Sequence, residues 1–291
     1  YATATDGKNT TQSRVWNFTT GDFTDPLISF TDPTPDDNAT VDYPYIGINV
    51  SIIEPSLDEF IWNWNKSNYT LYDDSLVLMM NFDNVSALGE NDSHFVDVSG
   101  YGNDGNCLVS SCPSAGVGRY DGGFSYDGVD DYTISTDSAS LDINSEISIS
   151  IWINIHELAS TEGHDYGIIF KQDSYGIEIE SDTDCIDFAM WDSSLYELEP
   201  TDCALSSDKW HHLFASFDGE NISVYQDALL LNKTNVTANS IDITANDLYY
   251  GYSHSSRYFN GSIDEVRIYN RSLSADEIQI LYMSNLRKYD T

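Results

Sequence analysis

Residues 259–282 read FNGSIDEVRIYNRSLSADEIQILY, and a strand gives way to a helix inside them. IDEVRIY at 263–269 reads as a strand. Five residues later Ser274 opens a capping box: it is the N-cap, Glu277 stands three residues on, and Ile278, Leu281 and Tyr282 fall on one helical face. That face is expected to pack on the rest of the domain. Working outward, every other periodic run reads as a strand: LVLMMNF at 76–82, ISISIWI at 147–153, YGIIF at 166–170, YGIEIE at 175–180, WHHLFASF at 210–217, ISVY at 222–225 and LYYGY at 248–252. Toward the N-terminus RVWNFT (14–19), IGINVSI (46–52) and FIWNW (60–64) alternate with period two, as half-buried antiparallel strands do. Many short strands at regular spacing with one terminal helix imply an all-β sandwich.

Residues 76–283 resemble the laminin-G-like, concanavalin A-like jelly-roll modules. The matching blocks are LVLMMNFD (76–83), DVSGYGNDG (97–105), GGFSYDGVDDYTI (122–134), ISISIWI (147–153), KWHHLFASFDGENISVYQDALL (209–230) and residues 259–282. One departure is Ala228, where the family usually has Gly; alanine takes a left-handed turn less readily, which puts the hairpin geometry in question. Residues 1–20 and 26–75 resemble the last and first strands of immunoglobulin-like repeats in archaeal surface proteins. Together these resemblances imply a jelly-roll sandwich at 76–284 with a short C-terminal helix, a smaller immunoglobulin-like β-sandwich portion at 1–22 and 23–75, and a return linker at 285–291. An incomplete sandwich exposes an edge that recruits a strand. Either residues 1–22 complete a neighbouring copy through its residues 23–75, giving a homopolymer or filament, or the two pieces close on each other within one chain.

The chain carries 48 Asp plus Glu against 12 Lys plus Arg in 291 residues, a formal net charge of −36. So negative a surface repels phosphates and anionic headgroups, which argues against nucleic-acid partners and membrane-surface binding. The 41 % hydrophobic share is too high for a disordered acidic tail. No run of about 18 apolar residues exists, so no insertion into a bilayer is expected. The sequence begins at Tyr1 without an initiator Met, as a processed product or a segment would.

Cys107 with Cys112 and Cys185 with Cys203 form two local pairs, the simplest of three connectivities if the compartment is oxidising. Asparagine points the same way. N-x-S/T occurs at Asn9, Asn17, Asn38, Asn49, Asn65, Asn68, Asn84, Asn91, Asn221, Asn232, Asn235, Asn260 and Asn270, 13 of the 22 asparagines. With 56 Ser plus Thr in the chain, random placement gives roughly four, so an extracellular surface bearing N-linked glycans is expected.

Catalytic signals are weak. Glu178, Glu180 and Asp182 alternate along one strand about 6.5 Å apart, yet the family's glucanases place Glu-x-Asp-x-x-Glu there, and a solvated strand face explains these acids better. No G-x-S-x-G, phosphate loop or HExxH is present. His211 and His212 face opposite sides of one strand, as core or surface residues. No catalytic residue is named. Structural Ca²⁺ is the ion the sequence favours: Asp97, Ser99, Asn103 and Asp104 in one loop and Asp127, Asp130 and Asp131 in another are hard oxygen donors, and the resemblance implies that such turns meet the strand carrying Asp264. The same acids are also common turn formers. Tyr196, Trp191, Tyr249, Tyr250, Tyr252 and Tyr258 are candidates for a glycan-binding platform, against a core or interface role. The expectation is therefore a non-enzymatic surface glycoprotein, a structural or adhesive filament subunit, with a carbohydrate-binding adhesin that does not polymerise as the alternative.

Overall fold

The computed structural model describes residues 2–5, 10–11, 16–20, 26–36, 47–54, 57–64 and 66–286, with backbone alone for 2–5, 10–11, 16–20 and Trp64. The chain divides into two compact units, Tyr1–Asp74 and Ser75–Thr291.

In the first unit a five-stranded sheet runs in the order Thr10–Thr11, Ala2–Thr5, Trp16–Thr20, Leu57–Trp64, Ser67–Tyr72, and a separate hairpin joins Leu27–Thr31 to Asn49–Ile53. Thr3 pairs with Ile61, and Thr19 with Glu59. The strands of residues 2–20 thus lie against residues 57–64 of their own chain. Of the two alternatives for this segment, the described residues show the intrachain pairing.

The second unit is a sandwich of two eight-stranded sheets, antiparallel throughout. The first orders Leu195–Leu198, Cys185–Trp191, Tyr175–Glu180, Tyr166–Lys171, Leu248–Tyr250, Thr133–Ser135, Gly105–Asn106 and His94–Phe95. The second orders Ser114–Val117, Gly122–Asp127, Asn260–Tyr269, Ile147–Ile155, Trp210–Phe217, Asn221–Gln226 and Leu229–Asn235, with Leu76–Met80 also paired to Asn260–Tyr269. Alternation sends Ile147, Ile149, Ile151, Ile153 and Ile155 into the core against Ile177, Ile179, Ile186 and Phe188 of the facing sheet.

The opposite side of the second sheet is covered as well. Helix Ala275–Met283 is held by the expected capping box between Ser274 and Glu277, buries Ile278 and Leu281, and stacks Tyr282 on Trp152 at 5.5 Å. His212, facing outward from its strand, is therefore buried beneath Trp152 and Tyr282. Burial in apolar surroundings, with Arg267 nearby, lowers its pKa to about 3, so it is neutral.

The Gln226–Leu229 hairpin closes with Asp227 at φ 51° and Ala228 at φ 63°, two consecutive left-handed residues as a type I′ turn requires. The turn forms in spite of alanine. Both local cysteine pairs are bonded, Cys107 to Cys112 and Cys185 to Cys203. No described helix is long and apolar enough to cross a membrane.

Candidate functional site

The face of the first sheet away from the core carries an aromatic surface. On Leu248–Tyr250 the alternation buries Leu248 and Tyr250 and turns Tyr249 outward. The chain then reverses at Gly251, φ 72°, where a Cβ would stand 2.3 Å from the Tyr126 ring, and the short pair Tyr252–Ser253 and Arg257–Tyr258 folds back. Four half-buried tyrosine rings meet: Tyr249 to Tyr252 at 5.3 Å, Tyr252 to Tyr258 at 5.0 Å, Tyr132 to Tyr252 at 5.9 Å and Tyr132 to Tyr249 at 6.0 Å. Beside them a cleft of about 400 Å³ is lined by Phe170, Asn246, Asp247, Tyr249, Tyr252 and Ser255, among others. Its rim is fixed from below, because Lys171 is buried, pairs with Asp137 and donates to the Asn246 carbonyl at 2.9 Å.

Of the six aromatic candidates, Tyr249, Tyr252 and Tyr258 come together. Tyr250 does not; it is in the core, donating to or accepting from Ser135 Oγ at 3.0 Å. Trp191 packs edge-on against Phe170 at 5.8 Å, next to this surface, and Tyr196 leans on the core with its hydroxyl 3.1 Å from Thr237. Tyr132 was not among the candidates. Its signal lay in strand pairing, since Thr133 is opposite Tyr250 and the residue before it is carried onto the same patch.

The calcium candidates fall in three places. Asp97 is buried with both oxygens engaged: Oδ1 accepts the amides of Met79 and Ser99, and Oδ2 accepts Ser99 Oγ and the Asn103 amide. The Asn103 side chain binds the Val77 carbonyl, Ser138 and Ser140, so this pair knits the loop to the first strand. Asp130 and Asp131 group with Asp127, their oxygens within 4.8 Å of one another. Asp131 Oδ2 accepts the Asp127 amide, and burial with Asp127 and Asp130 beside it pushes the Asp131 pKa up to about 6. Asp264 stands apart, fully buried, with Oδ2 accepting the Tyr120 amide at 3.0 Å and Oδ1 without a partner. The chain is tight there, for a Cβ on Gly118 would lie 2.6 Å from Asp264 Oδ2 and one on Gly122 2.7 Å from Asp83 Cα. Desolvation, with Asp83 close by, raises the Asp264 pKa.

The acids on Tyr175–Glu180 are not a solvated face, which corrects the expectation from the sequence. Glu178 is buried, accepts Ser253 Oγ and pairs with Arg257 at 2.9 Å. The neighbouring strand sets Asp187 directly opposite it, while Asp182 lies in the turn beyond. His211 bonds Asp227 at 2.9 Å and Ser206 Oγ at 3.2 Å. Those are the partners of a hydrolytic triad, but Nε2 also accepts the Ser206 amide at 3.3 Å. The arrangement ties the loop before the strand to the Asp227 turn.

A family profile described as the concanavalin A-like lectin/glucanases superfamily, Laminin_G_3, matches residues 127–279, more than half of the chain. The chain belongs to this family. The jelly-roll fold class expected from the sequence is thereby the one found, with the profile covering residues 127–279. No curated protein matches. Among solved structures, this Laminin_G_3 chain is similar to the binding domain of Paraclostridial Mosquitocidal Protein 1, at 16 % identity and TM-score 0.58, covering 72 % of this chain and 52 % of that one. It is similar also to the botulinum neurotoxin serotype D ligand-binding domain in complex with N-acetylneuraminic acid, at 17 % identity, TM-score 0.56 and coverage of 72 % and 51 %. Domain 4 of AbnA, a GH43 extracellular arabinanase from Geobacillus stearothermophilus in complex with arabinotriose, shares 18 % identity at TM-score 0.56, with 72 % and 98 % covered. The chain spans about half the length of the toxin domains it matches.

Proposed function

We propose that this Laminin_G_3 chain is a non-catalytic, extracellular carbohydrate-binding module whose second unit holds a glycan against the tyrosine face of its first sheet. The joined rings of Tyr132, Tyr249, Tyr252 and Tyr258 carry the reading. Aromatic faces take the apolar C–H side of a sugar ring, and fixed polar groups at the rim, here Asn246, Asp247 and Ser255, meet its hydroxyls. Two similar solved domains were captured with sugars, N-acetylneuraminic acid in one and arabinotriose in the other, which supports a glycan as the ligand class.

Two disulfides fit an oxidising compartment. Among the sequons with described side chains, Asn49, Asn68, Asn84, Asn91, Asn221, Asn232, Asn235, Asn260 and Asn270 are exposed or half-buried, as acceptors must be. Asn9, Asn38 and Asn65 lie outside the described residues, and Asn17 sits on a strand described by its backbone alone. In this reading Ca²⁺ has a structural part at Asp127, Asp130 and Asp131 or at Asp264. Filament assembly is not required, because its proposed route was an edge that the chain pairs for itself. Screening the full chain on an array of immobilised glycans tests the proposal: retention of a defined set of sugars is expected, and an array with no binder would overturn it.

A further inference from the structure

Beyond the tyrosine face, the same sheet gathers carboxylates across three strands. Ile177 and Ile179 enter the core and leave Glu178 and Glu180 on the far side; Ile186 and Phe188 do the same for Asp187. Glu197 follows on Leu195–Leu198 beside Ala189, and Glu199 comes just after it. Oxygens of Glu178, Glu180 and Asp187 lie within 4.8 Å of one another, and so do those of Asp187, Glu197 and Glu199. Asp187 belongs to both groups.

A crowd of acids is ordinary in a chain of this charge. What sets this one apart is Asp187 itself, which is 0 % exposed and has no hydrogen-bond partner on either Oδ1 or Oδ2. A buried carboxylate with both oxygens unengaged is unfavourable unless a proton or a cation reaches it. Arg257 does not serve, since its guanidinium is bound to Glu178 at 2.9 Å and Asp165 at 2.8 Å. We infer that Asp187 is the centre of a divalent-cation site, a hard ion of the Ca²⁺ class held by Asp187 together with Glu197 and Glu199.

Oxygens no more than 4.8 Å apart are within the span of one such ion, whose opposite ligands stand two bonds of roughly 2.4 Å apart. Asp187, Glu197 and Glu199 offer up to six oxygens, and water completes its six to eight positions without a rigid octahedron. Without the ion, burial and the surrounding acids, Glu197, Glu180, Glu199 and Glu178, push the Asp187 pKa up to about 8, and burial with Asp165, Glu199 and Glu178 pushes Glu180 to about 7. A cation arriving near neutral pH therefore displaces protons. The site is independent of whether the tyrosine face binds sugar.

Calorimetric titration of the chelator-treated full chain with CaCl₂ at pH 7.4, in two buffers of different ionisation enthalpy, tests it. Wild type is expected to bind Ca²⁺ with proton release, and Asp187→Asn to bind one equivalent fewer. Should Asp187→Asn fail to fold, the exposed pair Glu197→Gln/Glu199→Gln substitutes, with at least tenfold weaker binding of that equivalent expected. A wild type that takes up no Ca²⁺, or a folded variant that binds it in the same number and with the same affinity, would overturn the inference.

Discussion

Tyr252 is the centre of the tyrosine face, in ring contact with Tyr132, Tyr249 and Tyr258 at once. All four residues are half-buried, so each keeps part of its surface exposed. Truncating Tyr252 therefore removes ring surface from the middle of the patch, while the sandwich core behind it, built on Tyr250 and Leu248, is left in place. Ala228 shows a different economy at the same scale. At φ 63° its backbone is in the left-handed region, a conformation that glycine adopts without penalty. Ala228→Gly is expected to raise unfolding stability by up to about 1 kcal/mol, measured as a higher denaturation midpoint at unchanged slope; an unchanged or lower midpoint would show that the turn is not strained.

The strand Cys185–Trp191 is stapled at its first residue to Cys203, 18 residues on. Replacing both cysteines with alanine is expected to cost about 3 kcal/mol, by the chain entropy that a loop of this length returns to the unfolded state; a thermal melt of the double variant checks it. The same strand shows what a sequence discloses and what it hides. The sandwich and the capped helix are legible because they depend on local pattern: alternation in ISISIWI, and Ser274 three residues before Glu277. The side of the sheet a residue faces is not local. Tyr250 reads as a platform residue until its strand is set between Thr133–Ser135 and Tyr166–Lys171, whereupon parity sends it inward. Glu178 likewise reads as solvated, because the residues that bury and crowd it, Arg257 from 79 positions away and Asp187 from the next strand, are neighbours only after folding. Asp97, one of the calcium candidates, shows the same limit, since both its oxygens are taken up by backbone and hydroxyl donors that no spacing rule identifies.

Across the whole molecule the charge of −36 has a more specific consequence than repulsion of polyanions. Several carboxylates are held on or within the sandwich with their pKa values raised: Asp187 to about 8, Glu180 to about 7, and Asp264 and Glu265 upward through burial. Ordinary values near 4 return on unfolding. Between these limits the folded state binds more protons than the unfolded chain, so stability increases as pH falls. Below about 6.5 buried, neutral His212 opposes the trend, because only the unfolded chain then protonates it. In chelator, the melting temperature is therefore expected to rise from pH 8 to pH 6.5; a fall over that interval would mean that these acids are ionised and compensated. The central claim, that the tyrosine face is a glycan site, meets its most direct test in titration of wild type and Tyr252→Ala with a sugar retained on the array. The account predicts at least tenfold weaker binding by the variant with its melting temperature nearly unchanged, and equal affinity of the two proteins would contradict it.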